Sequence, residues 1–283
     1  MSASLPPNDS RPALVLGGGG PVGLSWMTGV AITLRELGID LALAGRIVGT
    51  SAGAVVGAVL AGDGDLERIV NPPAGVAKPI QVDYAKFGEV MKILASQARG
   101  VPAIEALRQI GVYVTENPVV DQPDEHVTRI GNLIGSTEWP ERELVITSVD
   151  VNTGELRAWT RDDQVSFHAA VASSTSVPGI FPPIPIDGGW YFDGGMRSPI
   201  NADLAAGADL IVIIEPLAHM FPHTWRDAEL GGAATISVIP DAEAIAAFGL
   251  DVFSPDSLIP AYEAGVRQAA EAAPRLKDVW PTR

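Results

Sequence analysis

The sequence predicts an α/β fold, a three-layer sandwich built on a mainly parallel central sheet. Short, continuously apolar segments, which are typical of buried strands, recur along the chain. Stretches whose apolar residues have helical spacing separate them, and this alternation is typical of a sheet that helices cover on both faces. Two of these segments run directly into glycine-rich turns that helical stretches follow. The chain has 283 residues, of which 47% are hydrophobic, enough to bury a sizeable core.

The first part of the chain contains two strand–turn–helix units. Residues 13–16 form the first predicted strand, and a helix at about 24–37 follows the glycines and stops near Gly38. Residues 46–48 form the second strand, and the small and apolar residues 54–61 form its helix. Residues 1–12 are polar and contain prolines, and we interpret them as a disordered tail before a single domain at 13–283.

Residues 63–142 are the least regular region, with seven prolines and helical patches at about 87–99 and 103–111. Val90, Ile93, Leu94 and Ala98 form an apolar stripe on the first patch, which is typical either of core packing or of a cap over a site for apolar substrates. We interpret the whole region as a helical, proline-rich elaboration inside the domain, because strands resume after it.

The second half returns to strands. Residues 143–150 and 155–160 form a hairpin around the turn at 151–154, and a helix of small residues follows at 165–174. A short strand at 190–192, apolar strands at 209–215 and 234–239, and a helix at 255–271 complete the prediction.

Charge and residue usage exclude several classes of function. The net charge of −15 makes the chain a poor partner for nucleic acid or for an anionic membrane surface, so any membrane contact is expected to be apolar, local and transient. The absence of cysteine excludes disulfides, thiol nucleophiles and cysteine metal sites, and the four histidines have no metal-binding spacing. No signal peptide or membrane-spanning segment is expected, which predicts a cytoplasmic protein; the oligomeric state is left open.

The segment Ile47-Val48-Gly49-Thr50-Ser51-Ala52-Gly53 predicts a nucleophile. It has the order strand, tight turn and helix around a Gly-x-Ser-x-Gly core, which holds the serine in a strained conformation at the end of a sheet. A Cβ at Gly49 or Gly53 would clash where strand and helix pass closely, and the helix N-terminus favours negative charge near Ser51. The alternative is a buried serine in a glycine-rich turn.

The loop Gly18-x-Gly20-x-x-Gly23 lies between the first strand and its helix. The pattern fits a dinucleotide-binding turn, with Asp40 near the position of a ribose-binding acid. It also fits an oxyanion site, because both need backbone N–H groups without side chains in the way. We favour the oxyanion site, since the second strand ends in Gly49-Thr50-Ser51 rather than in an acid, and a nucleotide site would give Ser51 no role. The remaining alternative is that the glycines only form a tight turn.

A serine nucleophile needs a base, and Asp193 is the best candidate. It ends a short strand and precedes two glycines, so its carboxylate can face a crowded site and take the serine proton directly. Asp187 belongs to a second Asp-Gly-Gly segment that reads as a hairpin turn. His219 and His223 follow a strand end by several residues and remain possible bases, whereas His168 lies in a helical stretch.

Together these elements resemble the patatin-like phospholipase family. That family is marked by a Gly-Gly-Gly-x-Arg/Lys-Gly loop, a Gly-x-Ser-x-Gly elbow and an Asp-Gly-Gly or Asp-Gly-Ala acid, which match Gly18 to Gly23, Gly49 to Gly53, and Asp193 to Gly195. The segments at 172–183 and around Asn201 and 207–209 are also similar, so the resemblance covers about 13–215. One position differs, because Val22 stands where the family usually has a basic residue, which weakens the phospholipid-specific expectation more than the esterase one.

The resemblance implies a lipid acyl hydrolase that cleaves carboxylic esters of phospholipids or other acyl lipids. In that case Ser51 is the nucleophile, Asp193 is the proton acceptor, and the N–H groups of Gly18, Gly19 and Gly20 form the oxyanion hole, with no metal and no cofactor. Two other classes of function remain, a non-catalytic lipid-binding or scaffold protein of the same fold and, more distantly, a dinucleotide-binding oxidoreductase.

Overall fold

The computed structural model describes residues 12–72, 80, 82–221 and 223–282, and it has the predicted α/β fold. The sheet order is β5-β6-β3-β2-β1-β7-β8, with β4 also beside β3. The strands are β1 (Ala13–Leu16), β2 (Arg46–Gly49), β3 (Glu143–Asp150), β4 (Leu156–Trp159), β5 (Ile184–Ile186), β6 (Gly189–Asp193), β7 (Leu210–Ile214) and β8 (Ala234–Val238). The ladders among β3, β2, β1, β7 and β8 are parallel, and β4, β5 and β6 add antiparallel ladders. Apart from Pro12, the predicted disordered tail lies outside the described residues.

Helices connect these strands and cover the sheet. They are α1 (Gly20–Glu36), α2 (Ala52–Ala61), α3 (Glu67–Val70), α4 (Tyr84–Leu94), α5 (Ala103–Glu116), α6 (Pro123–Ile134), α7 (Phe167–Ser174), α8 (Ala242–Phe248) and α9 (Leu258–Leu276). Alternate strand residues point to opposite faces of the sheet. Leu14 and Leu16 of β1 accordingly belong to the large core under α1, α2 and α9, whereas Ala13 and Val15 belong to a second core on the other face.

Val90, Ile93 and Leu94 of the predicted apolar stripe lie on α4 and pack in a core, whereas Ala98 is exposed in the 3-10 helix Ala95–Arg99. Val90 is fully buried in a third cluster with residues of α5 and with Val149 and Phe192 of the sheet, and Ile93 and Leu94 pack against the same cluster. Of the two alternatives that the sequence left open for this stripe, the structure therefore supports packing on the sheet.

The sequence does not predict three of the helices, α3, α6 and α8, and two others begin earlier than expected. Helix α6 lies in the proline-rich region, and Pro123, one of its seven prolines, is the first residue of this helix. A proline is tolerated there because the first helical N–H groups have no intrahelical acceptor. The side chains of Gln122 and Glu125 complete the start as a capping box. Helix α1 begins at Gly20, inside the glycine loop, rather than at about residue 24, and α4 begins at Tyr84 rather than at about residue 87.

The strand β3 brings the two halves of the candidate site together. Ile146 pairs with Gly49 of β2 and with Trp159 of β4, and Ser148 pairs with Asp193 of β6 and with Arg157 of β4. Because β4 pairs along one edge of β3 from Ile146 to Val149, β2 and β6 must share the other edge. The carboxyl end of β2 and the end of β6 therefore face each other across two residues of β3.

Candidate active site

Ser51 lies in the tight turn between β2 and α2. Its backbone has φ 54° and ψ −120°, a strained conformation for a residue with a side chain, and its side chain is almost buried at 7% exposure. The two flanking glycines are required sterically, because a Cβ at Gly49 would lie 2.6 Å from Ala54 Cα and one at Gly53 would lie 2.1 Å from Leu16 O. The predicted turn geometry and the reason for both glycines are confirmed.

The backbone of Ser51 is held from the neighbouring helix. Its N–H donates to Ser174 Oγ at 2.9 Å, and Ser174 is the last residue of α7. Thr50 is held as well, since its Oγ1 accepts from Thr147 Oγ1 at 2.9 Å and from Asn201 Nδ2 at 3.0 Å. The strained turn is thus fixed by side chains on three separate segments.

Asp193 ends β6 and is 1% exposed. Its Oδ1 accepts from Gly195 N–H at 2.7 Å, and its Oδ2 has no hydrogen-bond partner among the described residues. Burial raises the pKa of this carboxyl to about 7, while the Ser51 hydroxyl and the Gly195 N–H act in the opposite direction. The Ser51 hydroxyl is therefore close enough to affect the pKa of Asp193, although a well-aligned hydrogen bond between the two side chains is not formed. Such contacts often tighten only when substrate binds.

Hydrogen bonds tie the segment after Asp193 to the turn that contains Ser51. Asn201 Nδ2 donates to Gly194 O at 3.2 Å and to Thr50 Oγ1, so it ties the residue after Asp193 to the residue before Ser51. Arg197 Nη1 in turn donates to Asn201 Oδ1 at 2.7 Å. A side chain at Gly194 would lie 2.3 Å from Thr147 Oγ1, which explains the glycine at this position.

The other carboxylate that the sequence offered lies elsewhere. Asp187 is exposed in the turn between β5 and β6, with φ 48° followed by φ 80° at Gly188, which is the conformation of a two-residue hairpin turn. The hairpin predicted around Asp187 is confirmed, and this aspartate has no buried contact with the elbow.

The glycine loop lies against Ser51. A Cβ at Gly18 would be 3.5 Å from Ser51 Cβ, and Gly20 has φ 58°. The Gly18 N–H already donates to Pro199 O at 2.8 Å. Gly20 and Ala52 each begin a helix, so their N–H groups have no intrahelical acceptor, and these groups and the N–H of Gly19 have no other partner among the described residues.

Ser51 opens into an apolar cleft. The cleft has an empty volume of about 490 Å³ including its open mouth, and Gly20 and Ala52 line it beside Ser51. Most of its wall is hydrophobic, including Leu24, Val55, Ile130, Leu133, Phe181 and Phe253. A cleft of this composition suits an acyl chain better than a polar substrate.

The comparisons with known proteins identify the family. The family model of the patatin-like phospholipase matches residues 14–206, well over half of the chain. The chain belongs to the patatin-like phospholipase family. The family match covers the glycine loop, the Ser51 elbow and Asp193 together, as the sequence motifs predicted.

Solved structures are similar over most of the chain. VipD from Legionella pneumophila aligns with a TM-score of 0.50 and 16% sequence identity, covering 96% of this chain and 68% of VipD. The type III effector protein ExoU aligns with a TM-score of 0.41 and 16% identity, covering 96% of this chain and 54% of that chain. This chain therefore spans about half of the ExoU chain and two thirds of the VipD chain.

This member of the family has two ionisable cleft residues that the sequence motifs do not indicate. His126 and Arg129, which line the cleft, lie on α6, the helix that the prolines concealed. Burial lowers the pKa of His126 to about 3, and the nearby Arg129 acts in the same direction, so the ring is neutral at physiological pH. Residues three positions apart share one face of a helix, so the spacing of His126 and Arg129 would have placed them together. This signal can be used only once the region is known to be helical.

Hydrogen bonds fix the protonation of the His126 ring. Arg129 Nη1 lies 3.2 Å from Nδ1, and because a guanidinium only donates, Nδ1 is the acceptor. The proton is therefore on Nε2, which donates to Thr175 Oγ1 at 2.9 Å. The ring also stacks on Phe181, with centroids 4.3 Å apart.

The remaining polar candidates lie away from the cleft. His223 pairs with Glu215 at 2.7 Å and His219 packs near the Phe248 ring, and neither lines the cleft. Asp40, which a dinucleotide site would need near the glycine loop, caps the 3-10 helix Leu41–Leu43 just before the amino end of β2. The glycine loop follows the carboxyl end of the parallel strand β1, so the two lie at opposite ends of these strands. Within the described residues no cluster of three potential metal ligands occurs, and no helix there is long and apolar enough to span a bilayer.

Proposed function

We propose that the protein is a lipid acyl hydrolase that cleaves carboxylic esters of phospholipids or other acyl lipids. Ser51 is the nucleophile, Asp193 is the proton acceptor, and the reaction needs neither metal nor cofactor. The observation that carries the proposal is the strained Ser51 at the start of α2, beside a buried carboxyl and open to an apolar cleft. Membership of the patatin-like phospholipase family supports the same class of reaction.

In the first half of the reaction, the Asp193 carboxylate accepts the Ser51 hydroxyl proton as Oγ bonds to the ester carbonyl carbon. The carbonyl oxygen becomes an oxyanion, which backbone N–H groups stabilise. The bond to the alcohol then breaks, Asp193 returns the proton to the leaving oxygen, and the acyl group stays on Ser51. Water attacks this acyl-enzyme, Asp193 takes its proton, and Ser51 Oγ recovers the proton as the fatty acid leaves. A pKa near 7 suits a group that must both accept and donate a proton.

The oxyanion donors in this proposal are the N–H groups of Gly19, Gly20 and Ala52. The sequence pointed to Gly18, Gly19 and Gly20, but the N–H of Gly18 is bonded to Pro199 O. Ala52 replaces it, because its N–H lies at the start of α2 next to the nucleophile and has no partner among the described residues. Losing one such donor typically lowers the rate by about 10²–10³-fold.

Hydrolysis of p-nitrophenyl esters with short and long acyl chains tests the proposal. We expect turnover by the wild type, a loss of about 10⁴-fold or more in Ser51→Ala, and no change in the control Ser136→Ala, which alters an exposed serine. Wild-type activity in folded Ser51→Ala would refute the assignment. Lipid binding by a wild-type protein that hydrolyses none of these esters would indicate a binding protein of the same fold.

A further inference from the structure

The cleft wall contains a single permanent charge among the described residues that line it. That charge belongs to Arg129, since the other ionisable side chain on the wall, His126, is neutral. The glycine loop supplies no positive charge, because Val22 stands at the position of the basic residue in the family motif and is fully buried in the core. The positive charge near the nucleophile thus comes from α6.

The guanidinium of Arg129 is held in one orientation. Nη2 donates to Asp121 Oδ2 at 2.8 Å, Nη1 donates to His126 Nδ1, and Cζ lies 5.4 Å from the Phe181 ring centroid. These contacts leave the Nε–H and one hydrogen on each terminal nitrogen without a partner among the described residues. A guanidinium fixed in this way loses little side-chain entropy when it binds an anion.

A short chain of contacts connects Arg129 to the nucleophile. Arg129 contacts His126, and His126 donates to Thr175. The residue before Thr175 is Ser174, whose hydroxyl accepts the Ser51 N–H. The cation and the nucleophile therefore line one cleft, with the apolar wall for an acyl chain beside them.

We propose that Arg129 binds the phosphate of a glycerophospholipid whose scissile ester lies at Ser51. The inference rests on the proposed function, and it makes Arg129 a specificity-determining residue. The planar donor fork of arginine matches phosphate oxygens, and such charge-assisted pairs are stronger than neutral hydrogen bonds. In a glycerophospholipid only a few covalent bonds separate the phosphate from the ester carbonyls, so one molecule can occupy both positions.

Asp121 opposes this binding while it orients the guanidinium. Its side chain is 35% exposed against 16% for Arg129, so solvent screens the aspartate more than the arginine. Replacing Asp121 by asparagine keeps a hydrogen-bond acceptor for Nη2 and removes the negative charge. Phosphate binding should therefore weaken when Arg129 is neutralised and strengthen when Asp121 is neutralised.

The test compares kcat/KM for dihexanoyl phosphatidylcholine with kcat/KM for dihexanoylglycerol, which has the same acyl chains and no phosphate. We expect Arg129→Gln to lower the phospholipid-to-diacylglycerol ratio by about 10- to 100-fold, as for loss of a hydrogen bond to a charged group. Arg129→Lys should lower it less, and Asp121→Asn should raise it. The control Arg108→Gln, which alters an exposed arginine paired with Glu105 outside the cleft wall, should leave the ratio unchanged.

Equal losses on both substrates in Arg129→Gln, or a lower ratio in Asp121→Asn, would overturn the phosphate subsite and leave the hydrolase assignment intact. Absence of hydrolysis of both substrates by the wild type would instead contradict the proposed function.

Inorganic phosphate, added to the diacylglycerol assay, distinguishes a site for a lipid phosphate from a site for free phosphate. Strong Arg129-dependent inhibition would assign the site to free phosphate and overturn its assignment to a lipid, whereas the proposal expects no inhibition, because free phosphate lacks the acyl anchor.

Discussion

Replacing Asp193 with asparagine should abolish ester cleavage and make the protein more stable at neutral pH. The folded protein raises the pKa of this carboxyl from 3.8 to about 7, chiefly because burial disfavours its charge. Asparagine keeps the acceptor for the Gly195 N–H and has no charge to bury. The substitution therefore removes the proton acceptor and, with it, the free-energy cost of the buried charge.

The sign and the size of the stability change follow from proton linkage. Between pH 3.8 and about 7 the folded protein binds more protons at this site than the unfolded chain does, so this group lowers the free energy of unfolding as pH rises through that window. One pKa unit corresponds to about 1.4 kcal/mol, which gives an upper bound of about 4 kcal/mol above pH 7. Asp193→Asn should recover part of this amount at pH 8 and almost none at pH 3.5.

Urea unfolding of wild type and Asp193→Asn at pH values from 3.5 to 8 measures the difference. Asp187→Asn serves as the control, because Asp187 is exposed and its substitution should affect neither activity nor the pH dependence. An Asp193→Asn variant that is less stable than wild type at pH 8, or a stability gap that does not change with pH, would refute the argument that Asp193 is a buried carboxyl under electrostatic stress.

Three further predictions follow from the site and its scaffold. The value of kcat/KM should rise with pH to a plateau, with a midpoint near 7, because Asp193 must be ionised to accept the Ser51 proton; a flat profile from pH 5 to 8 would contradict this. Ser174→Ala should lower kcat with little change in KM, since it removes the acceptor that holds the Ser51 N–H, and an unchanged kcat would contradict that role. Gly53→Ala should lower the free energy of unfolding by several kcal/mol, roughly the range of severe steric mutations, because its Cβ would lie 2.1 Å from Leu16 O. Gly88→Ala, whose Cβ would meet nothing within 4 Å in α4, should instead be neutral or stabilising, and similar losses in both variants would count against the steric argument.

The sequence predicted the parts of the site that depend on the backbone. Gly49, Gly53 and the apolar strand before them define a turn that few residue types can form, so the conformation of Ser51 could be predicted from the chain alone. The approach of Asp193 to Ser51 depends on the long strand β3, whose edge β2 and β6 share. The motif order indicated that approach, but the pairing became visible only in the structure.

The cleft wall could not be predicted, because it depends on tertiary packing and on one proline. Pro123 reads as a break in a region with several prolines, yet it starts the helix that presents His126 and Arg129 to the cleft. Similarly, a run of glycines does not show which N–H groups remain unpaired, and the use of the Gly18 N–H by Pro199 O depends on a distant segment. Both features arise from contacts between parts of the chain that are far apart in sequence.

The most direct test of the central claim is labelling with a fluorescent fluorophosphonate, with the modified residue identified by peptide mass spectrometry. We expect a single adduct on Ser51 in the wild type at pH 8 and much slower labelling in folded Asp193→Asn. No adduct on Ser51 in the folded wild-type protein, or an equal labelling rate in both proteins, would contradict a nucleophile that Asp193 activates.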